Sequence, residues 1–474
     1  MTTAQQARPV EFVKAITRLD ATALVVGSMI GSGIFIVSAD IVRQLQSPGL
    51  LLLVWVLSGV VTLLGAITYG ELAAMFPRAG GQYVYLREGI SPLFGYLYGW
   101  TLFLVIQSAT IAAVAVAFAR FTAVFVPALD EEVFFGGAIG RYNFGLSWQR
   151  LWAIASIAAL TWINVRGVRT AAIIQTTLTA IKTAALAGLI VLGITIGRTA
   201  EAAAANFGDA FWPAGGVTLS LLPAVGAAMV GSLFAMDAWN NVGFAASELK
   251  EPERDLPFAM AMGVLVVTIL YVLANVAYVS VLPVQEIAGA PQDRVATAAL
   301  QQMFGQAGLA IMAAAIMIST FGCNNGLILS GARVYYAMAR DNLFFKSAGE
   351  LHPKYKTPAV GLVAQAVWTS LLCLSGTYSQ LLDYIIFAAV LFYMVTVIGL
   401  FALRARRPDL PRPVRAPGYP WLPALYVVLT ALICINLLIR KPLYTWPGLI
   451  IVALGVPVYF VWRALAREKP ATPA

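Results

Sequence analysis

Residues 27–35 read "GSMIGSGIF", Gly27 to Phe35, and place three glycines and two serines inside the first long apolar stretch of the chain. A helix crossing a bilayer is expected to show leucines and valines there. Lipid offers no water to satisfy freed N–H and C=O groups, so irregular backbone at membrane depth survives only where protein or an aqueous cavity lines it. The interruption therefore marks a cavity. If the helix unwinds near Gly31, Ser32 and Gly33, a second half-helix begins there and presents unpaired N–H groups and a positive dipole end. A carboxylate is the natural guest of such an end.

The rest of the chain supports a membrane setting. Of 474 residues, 60% are hydrophobic and only 11% charged, which leaves too little polar surface to coat a soluble globule. Apolar runs long enough to span a hydrocarbon core recur along the whole length. The sequence predicts twelve spans, at about 21–42, 50–75, 93–124, 151–164, 171–197, 219–246, 258–282, 307–334, 359–377, 381–403, 421–439 and 446–464. With both termini in the cytoplasm, most of the 31 Lys and Arg fall in the termini and cytoplasmic loops, so the net charge of +9 reads as topology rather than as a nucleic-acid surface. The basic segments 333–356 and 404–420 are expected to anchor to anionic headgroups. The first 20 residues are polar, and no small-residue cleavage site follows them, so no removable signal is expected. Cys323, Cys373 and Cys434 lie in apolar runs and offer no disulfide framework. The single histidine, His352, excludes bis-His haem sites and H-E-x-x-H hydrolases, so neither enzyme nor cofactor chemistry is implied.

An internal echo adds a second interruption. "MIGS" at 29–32 returns as "MVGS" at 229–232, in the sixth span, where "LFAMDAWNN" (233–241) sets Asp237, Asn240 and Asn241 in or beside an apolar run. Broken first helices five spans apart are what two inverted repeats of five helices produce. A break in span six exposes carbonyls that suit an ammonium group. An anion end and a cation end side by side describe a site for a zwitterionic amino acid.

At these residues the chain resembles the amino acid/polyamine/organocation superfamily, and within it the L-type amino-acid transporters and their bacterial relatives. Four patterns carry the resemblance: "GSMIGSGIF", "YGELAAMFPRAGGQYVYLRE" (69–88), "LFAMDAWNNVGFAASELKEPERDLP" (233–257) and "STFGCNNGLILSGARVYYAMARD" (319–341). The resemblance implies an all-α integral membrane protein of twelve transmembrane helices with a LeuT-like five-plus-five inverted repeat and discontinuous helices 1 and 6. The corresponding division is a cytoplasmic segment 1–20, a core 21–403 in repeats of about 21–197 and 219–403, two further helices in 421–464, and a tail 465–474. It also implies carboxylate recognition near Met29, Ile30, Gly31, Ser32 and Gly33, ammonium recognition around Phe234, Ala235 and Asp237, and a gating role for Phe234. The chain departs from the family pattern at Met236, where an aromatic is common, and at Ala238, where a glycine is common. Alanine tolerates positive φ poorly.

Lys182 stands about 12 residues, or roughly 18 Å of helix, past Arg169, too deep in span five to snorkel. Burying its ammonium costs at least about 2.5–3.5 kcal/mol and demands compensation. In sodium-independent relatives a lysine at this position places its charge where sodium-coupled relatives hold an ion. The expected partners are the Gly27 carbonyl and Ser319, with Thr320 nearby. Asp237 is read as part of an unwound carbonyl-bearing stretch, with selection of cationic substrates as the alternative. Glu71 and Arg78 fit a cytoplasmic gate network. The loop 248–255 carries either solvated charges or gate-locking ion pairs, and Tyr335 and Tyr336 are assigned to the interfacial aromatic belt.

The resulting expectation is a sodium-independent exchanger or uniporter of neutral L-amino acids in a bacterial cytoplasmic membrane, with both termini inside. Residues 126–150 contain no cysteine, so no disulfide-linked heavy chain is expected. The alternatives are a permease for cationic amino acids or polyamines, a proton-coupled symporter, and a non-transporting sensor.

Overall fold

The computed structural model describes residues 12–139, 142–374 and 378–467; the start of the N-terminal segment and the end of the 465–474 tail lie outside them. The first span is two helices. α1 (Arg18–Met29) opens on a capping box in which Thr17 and Asp20 satisfy each other's backbone amides, and α2 (Gly33–Leu45) resumes after residues 30–32. α3 (Pro48–Met75) starts on a Ser47 cap with proline in its first turn, where the missing N–H costs nothing. A short helix α4 (Gln82–Gly89) follows, then α5 (Pro92–Thr101) and α6 (Gln107–Thr122), joined through a π turn at Leu102–Ile106. An antiparallel hairpin, β1 (Phe135–Ile139) and β2 (Tyr142–Leu146), pairs Phe135 with Leu146 and leads into α7 (Trp148–Val165) and α8 (Val168–Thr195).

The second half also contains an interrupted span. After α9 (Ala200–Asn206) comes α10 (Leu222–Ala235), which breaks off and continues as a 3₁₀ run at Asn241–Glu248. α11 (Pro252–Val281), α12 (Val284–Ala288), α13 (Val295–Arg340), α14 (Ala359–Cys373), α15 (Tyr378–Arg406), α16 (Trp421–Arg440) and α17 (Pro442–Arg467) complete the chain. Among the described residues nine helical segments are long and apolar enough to cross a membrane, and the stretch ending in α10 and α14 are shorter apolar helices. A twelve-span path with helices one and six interrupted fits this order.

Close approach, not hydrophobicity, holds such helices together, because lipid tails are as apolar as leucine. α11 lies along α3, and a Cβ on Gly59 would stand 2.2 Å from Thr268 Cγ2, so only glycine admits the contact. Large apolar side chains such as Ile173, Val191, Val367 and Ile435 point outward, as a lipid-solvated surface requires.

Several expectations need correction. Residues 295–340 run as two helical segments broken at Gly305 (φ +61°), and the expected span 307–334 lies inside the second, which continues to Arg340. Tyr335 is not an interfacial residue: it is fully buried against Phe103 and Phe344. Arg333, Arg404 and Arg412, expected among headgroup anchors, turn inward to carboxylates instead.

Candidate functional site

The two interruptions meet. A Cβ on Gly33, at the start of α2, would lie 2.6 Å from Ala235 Cβ at the end of α10, so the absence of a side chain lets the two broken helices touch. Tyr271 of α11 ties them, its hydroxyl shared between Met29 O at 2.8 Å and Ala235 O at 3.2 Å.

A helix that stops in the membrane must find donors for its last carbonyls. Every carbonyl from Val26 to Gly31 has one. Val26 O accepts from Ile30 N, Gly27 O from Lys182 Nζ at 2.5 Å, and Ser28 O from Cys323 Sγ at 3.0 Å. Met29 O accepts from Gly31 N and Tyr271. Ile30 O accepts from Lys182 Nζ at 2.8 Å and Ser319 Oγ at 3.1 Å, and Ser319 Oγ also reaches Gly31 O. The third Lys182 hydrogen bond goes to Ser319 O at 3.3 Å. The ammonium, 1% exposed as a residue, thus uses its three N–H groups on carbonyls of α1 and α13. Gly27 and Ser319 are its expected neighbours, and Ile30 is an additional one. Thr320 donates instead within its own helix, to Ile316 O and Met317 O.

In span six the backbone turns through Met236–Asn240. Asp237 N bonds Phe234 O, Asn241 N bonds Ala238 O, and Ala238 sits at φ +68°. A left-handed alanine costs roughly 1–2 kcal/mol that glycine does not incur. Ala238→Gly is therefore expected to stabilise the protein by about 1 kcal/mol, net of glycine's extra chain entropy, and a rise in the thermal unfolding midpoint in detergent checks it.

Asp237 is held by α15: Tyr393 donates to its Oδ1 at 2.5 Å, and Asn240 Nδ2 donates to Gln82 Oε1 at 2.6 Å, whose Nε2 donates to Thr396. Two cavities flank this segment. One has Thr62, Met236, Tyr426 and Thr430 in its wall. The other, with room for about one water, lies between α6, α13, α15 and the break, with Tyr98, Gln107, Asn240 and Asn241 in its wall. Asp237 and Tyr393 line both. None of Met29–Gly33 lines either cavity, and Phe234 is buried in the last turn of α10. Tyr271, Tyr393 and Gln82 escaped the sequence reading; their only signal is a polar tip in or beside an apolar run.

The ends of the helices on the side of α1's N-terminus are tied by ion pairs. Glu248, ending span six, meets Arg333 of α13 at 2.7 and 3.2 Å, both side chains 1% exposed, and Arg18 meets Asp255 at 2.6 Å. Of the charges at 248–255, which run from the end of span six into the first turn of α11, Glu248 and Asp255 are drawn into these pairs. Ile16 forms a parallel bridge to Leu249, with Ile16 N donating to Glu248 O and Lys250 N to Ile16 O. Glu71 is fully buried and accepts from Arg404 Nε and Nη2 and from Ala416 N, with Arg412 at 3.3 Å; Arg78 instead lines an open cleft with Phe12 and Arg340.

Comparison with known proteins agrees with this architecture. A family model described as amino acid permease matches residues 16–461. The large neutral amino acids transporter small subunit 2 of Mus musculus is 32% identical over 459 residues, covering 94% of this chain and 81% of its own. The Asc-type amino acid transporter 1 of Mus musculus is 31% identical over 464 residues, with 95% and 82% covered. The b(0,+)-type amino acid transporter 1 of the same organism is 28% identical over 471 residues, with 97% and 91% covered. Interrupted helices, their polar seam and these matches together place the chain in the amino acid permease family of the amino acid/polyamine/organocation superfamily.

Proposed function

We propose that this protein carries neutral L-amino acids across a bacterial cytoplasmic membrane by alternating access, without sodium, with both termini in the cytoplasm. The observation that carries the reading is the Lys182 ammonium, which holds Gly27 O, Ile30 O and Ser319 O in one shell and so fastens the broken first span to α13 with a charge that never leaves. A fixed cation there removes the need for a transported one. The printed names of the relatives, large neutral and Asc-type amino acid transporters, support the substrate class.

In this reading the backbone of Met29, Ile30, Gly31, Ser32 and Gly33 takes the substrate carboxylate, carbonyls around Phe234, Ala235 and Asp237 take the ammonium, and Phe234 closes over both. Parting Gly33 from Ala235 opens the space between the breaks. Asp237 is engaged by Tyr393, which favours a structural role over recognition of cationic side chains. The three cysteines are free and buried, and 126–150 has none, so the carrier works without a disulfide-linked heavy chain.

Purified protein in proteoliposomes tests this directly. Uptake of labelled alanine is expected to be equal in sodium and choline media. Strict sodium dependence overturns the proposal, as does uptake of lysine in place of alanine that Asp237→Asn abolishes.

A further inference from the structure

We infer that the cavity beside Asn241 selects, among neutral amino acids, those whose side chain carries a hydroxyl or a carboxamide; this rests on the transport reading above. The cavity is enclosed and tight, with room for about one water molecule or the tip of a substrate side chain. It is lined by Asp237 and Ala238 of the second interruption and by none of the first, so beyond the ammonium position the part of a zwitterion that reaches it is the side chain, not the carboxylate.

Its polar wall is mostly spoken for. Gln107 Nε2 donates to Leu327 O at 2.7 Å, Thr110 Oγ1 to Ile106 O at 2.6 Å, Asn240 Nδ2 to Gln82, and Tyr393 to Asp237. Asn241 is the exception. The residue is 3% exposed, lines the cavity, and its Nδ2 has no hydrogen-bond partner among the described residues. A buried amide N–H without an acceptor costs about 1–3 kcal/mol. Water in the cavity relieves that cost in the resting carrier. A valine or leucine side chain displaces the water and supplies nothing in return, whereas a threonine hydroxyl or an asparagine carboxamide supplies the acceptor. The carboxylate of Asp237 is occupied by Tyr393, so discrimination here works through a neutral hydrogen bond rather than charge.

Isosteric pairs isolate the effect. In proteoliposomes containing the full-length protein, threonine is compared with valine, and asparagine with leucine, as competitors of labelled alanine uptake. Each polar member is expected to compete about tenfold better than its apolar isostere, the worth of one buried hydrogen bond otherwise left unmade. In Asn241→Leu the ratio falls to about one or inverts, and in Asn241→Ser an intermediate preference remains. Should the leucine variant fail to fold, the wild-type ratios and the serine variant still decide. Valine and leucine competing as well as threonine and asparagine in the wild type overturns the inference while leaving the transport reading intact, as does an unchanged ratio in Asn241→Leu. Absence of alanine uptake and binding overturns the transport reading itself.

Discussion

Lys182→Met is expected to reduce alanine uptake about a hundredfold, with no recovery on adding sodium. Methionine matches the length of the lysine stem but brings no donor. Gly27 O then loses its described partner, while Ile30 O keeps only Ser319 Oγ. Each buried carbonyl stripped of its donor costs about 1–3 kcal/mol, and a hundredfold change corresponds to roughly 3 kcal/mol. The loss falls on the geometry of the first interruption, because the same ammonium fixes both sides of the place where α1 ends. Initial-rate uptake in proteoliposomes measures it, with a thermal melt of the same preparation to show that folded protein was present. Uptake within tenfold of wild type contradicts the assignment of Lys182 as the resident cation.

Glu248→Ala is expected to destabilise the protein by about 3–5 kcal/mol, because it leaves the Arg333 guanidinium buried with its charge uncompensated. Arg333 also donates to Leu329 O, which cannot neutralise a full charge. The double variant Glu248→Leu, Arg333→Met removes both charges from a site where each is 1% exposed, and most of the stability is expected to return. Thermal unfolding of the wild type and the two variants in detergent separates the outcomes. The double variant also joins span six to α13 less firmly at that end, so its uptake is expected to fall although its fold recovers. Equal stability of the single and double variants refutes the argument.

Much of this architecture was legible because lipid enforces strict backbone accounting. Gly31 and Gly33 inside an apolar run, and Asp237, Asn240 and Asn241 in or beside another, have no reading in a plain transmembrane helix, and both runs break where those residues stand. Ala238 was the suspect position for the second break and is the residue at positive φ. What escaped was pairing across distance. Nothing local to Glu71 shows that Arg404 and Arg412, more than 300 residues later, return to it, and the run of arginines around them looks like a headgroup anchor. Tyr335 carries the same composition signal as a belt tyrosine, and only the neighbouring α5 and α6 junction, which supplies Phe103, decides that it is interior.

The bridge between Ile16 and Leu249 has a mechanical corollary. Each interrupted span owns a joint at its break, yet the half of the first that starts at Arg18 and the half of the second that ends at Glu248 are spliced by two backbone hydrogen bonds, as a short splint fastens two levers. Swinging either lever inward by itself shears that splint, whereas swinging both together leaves it whole, so the cheapest inward movement is a paired one.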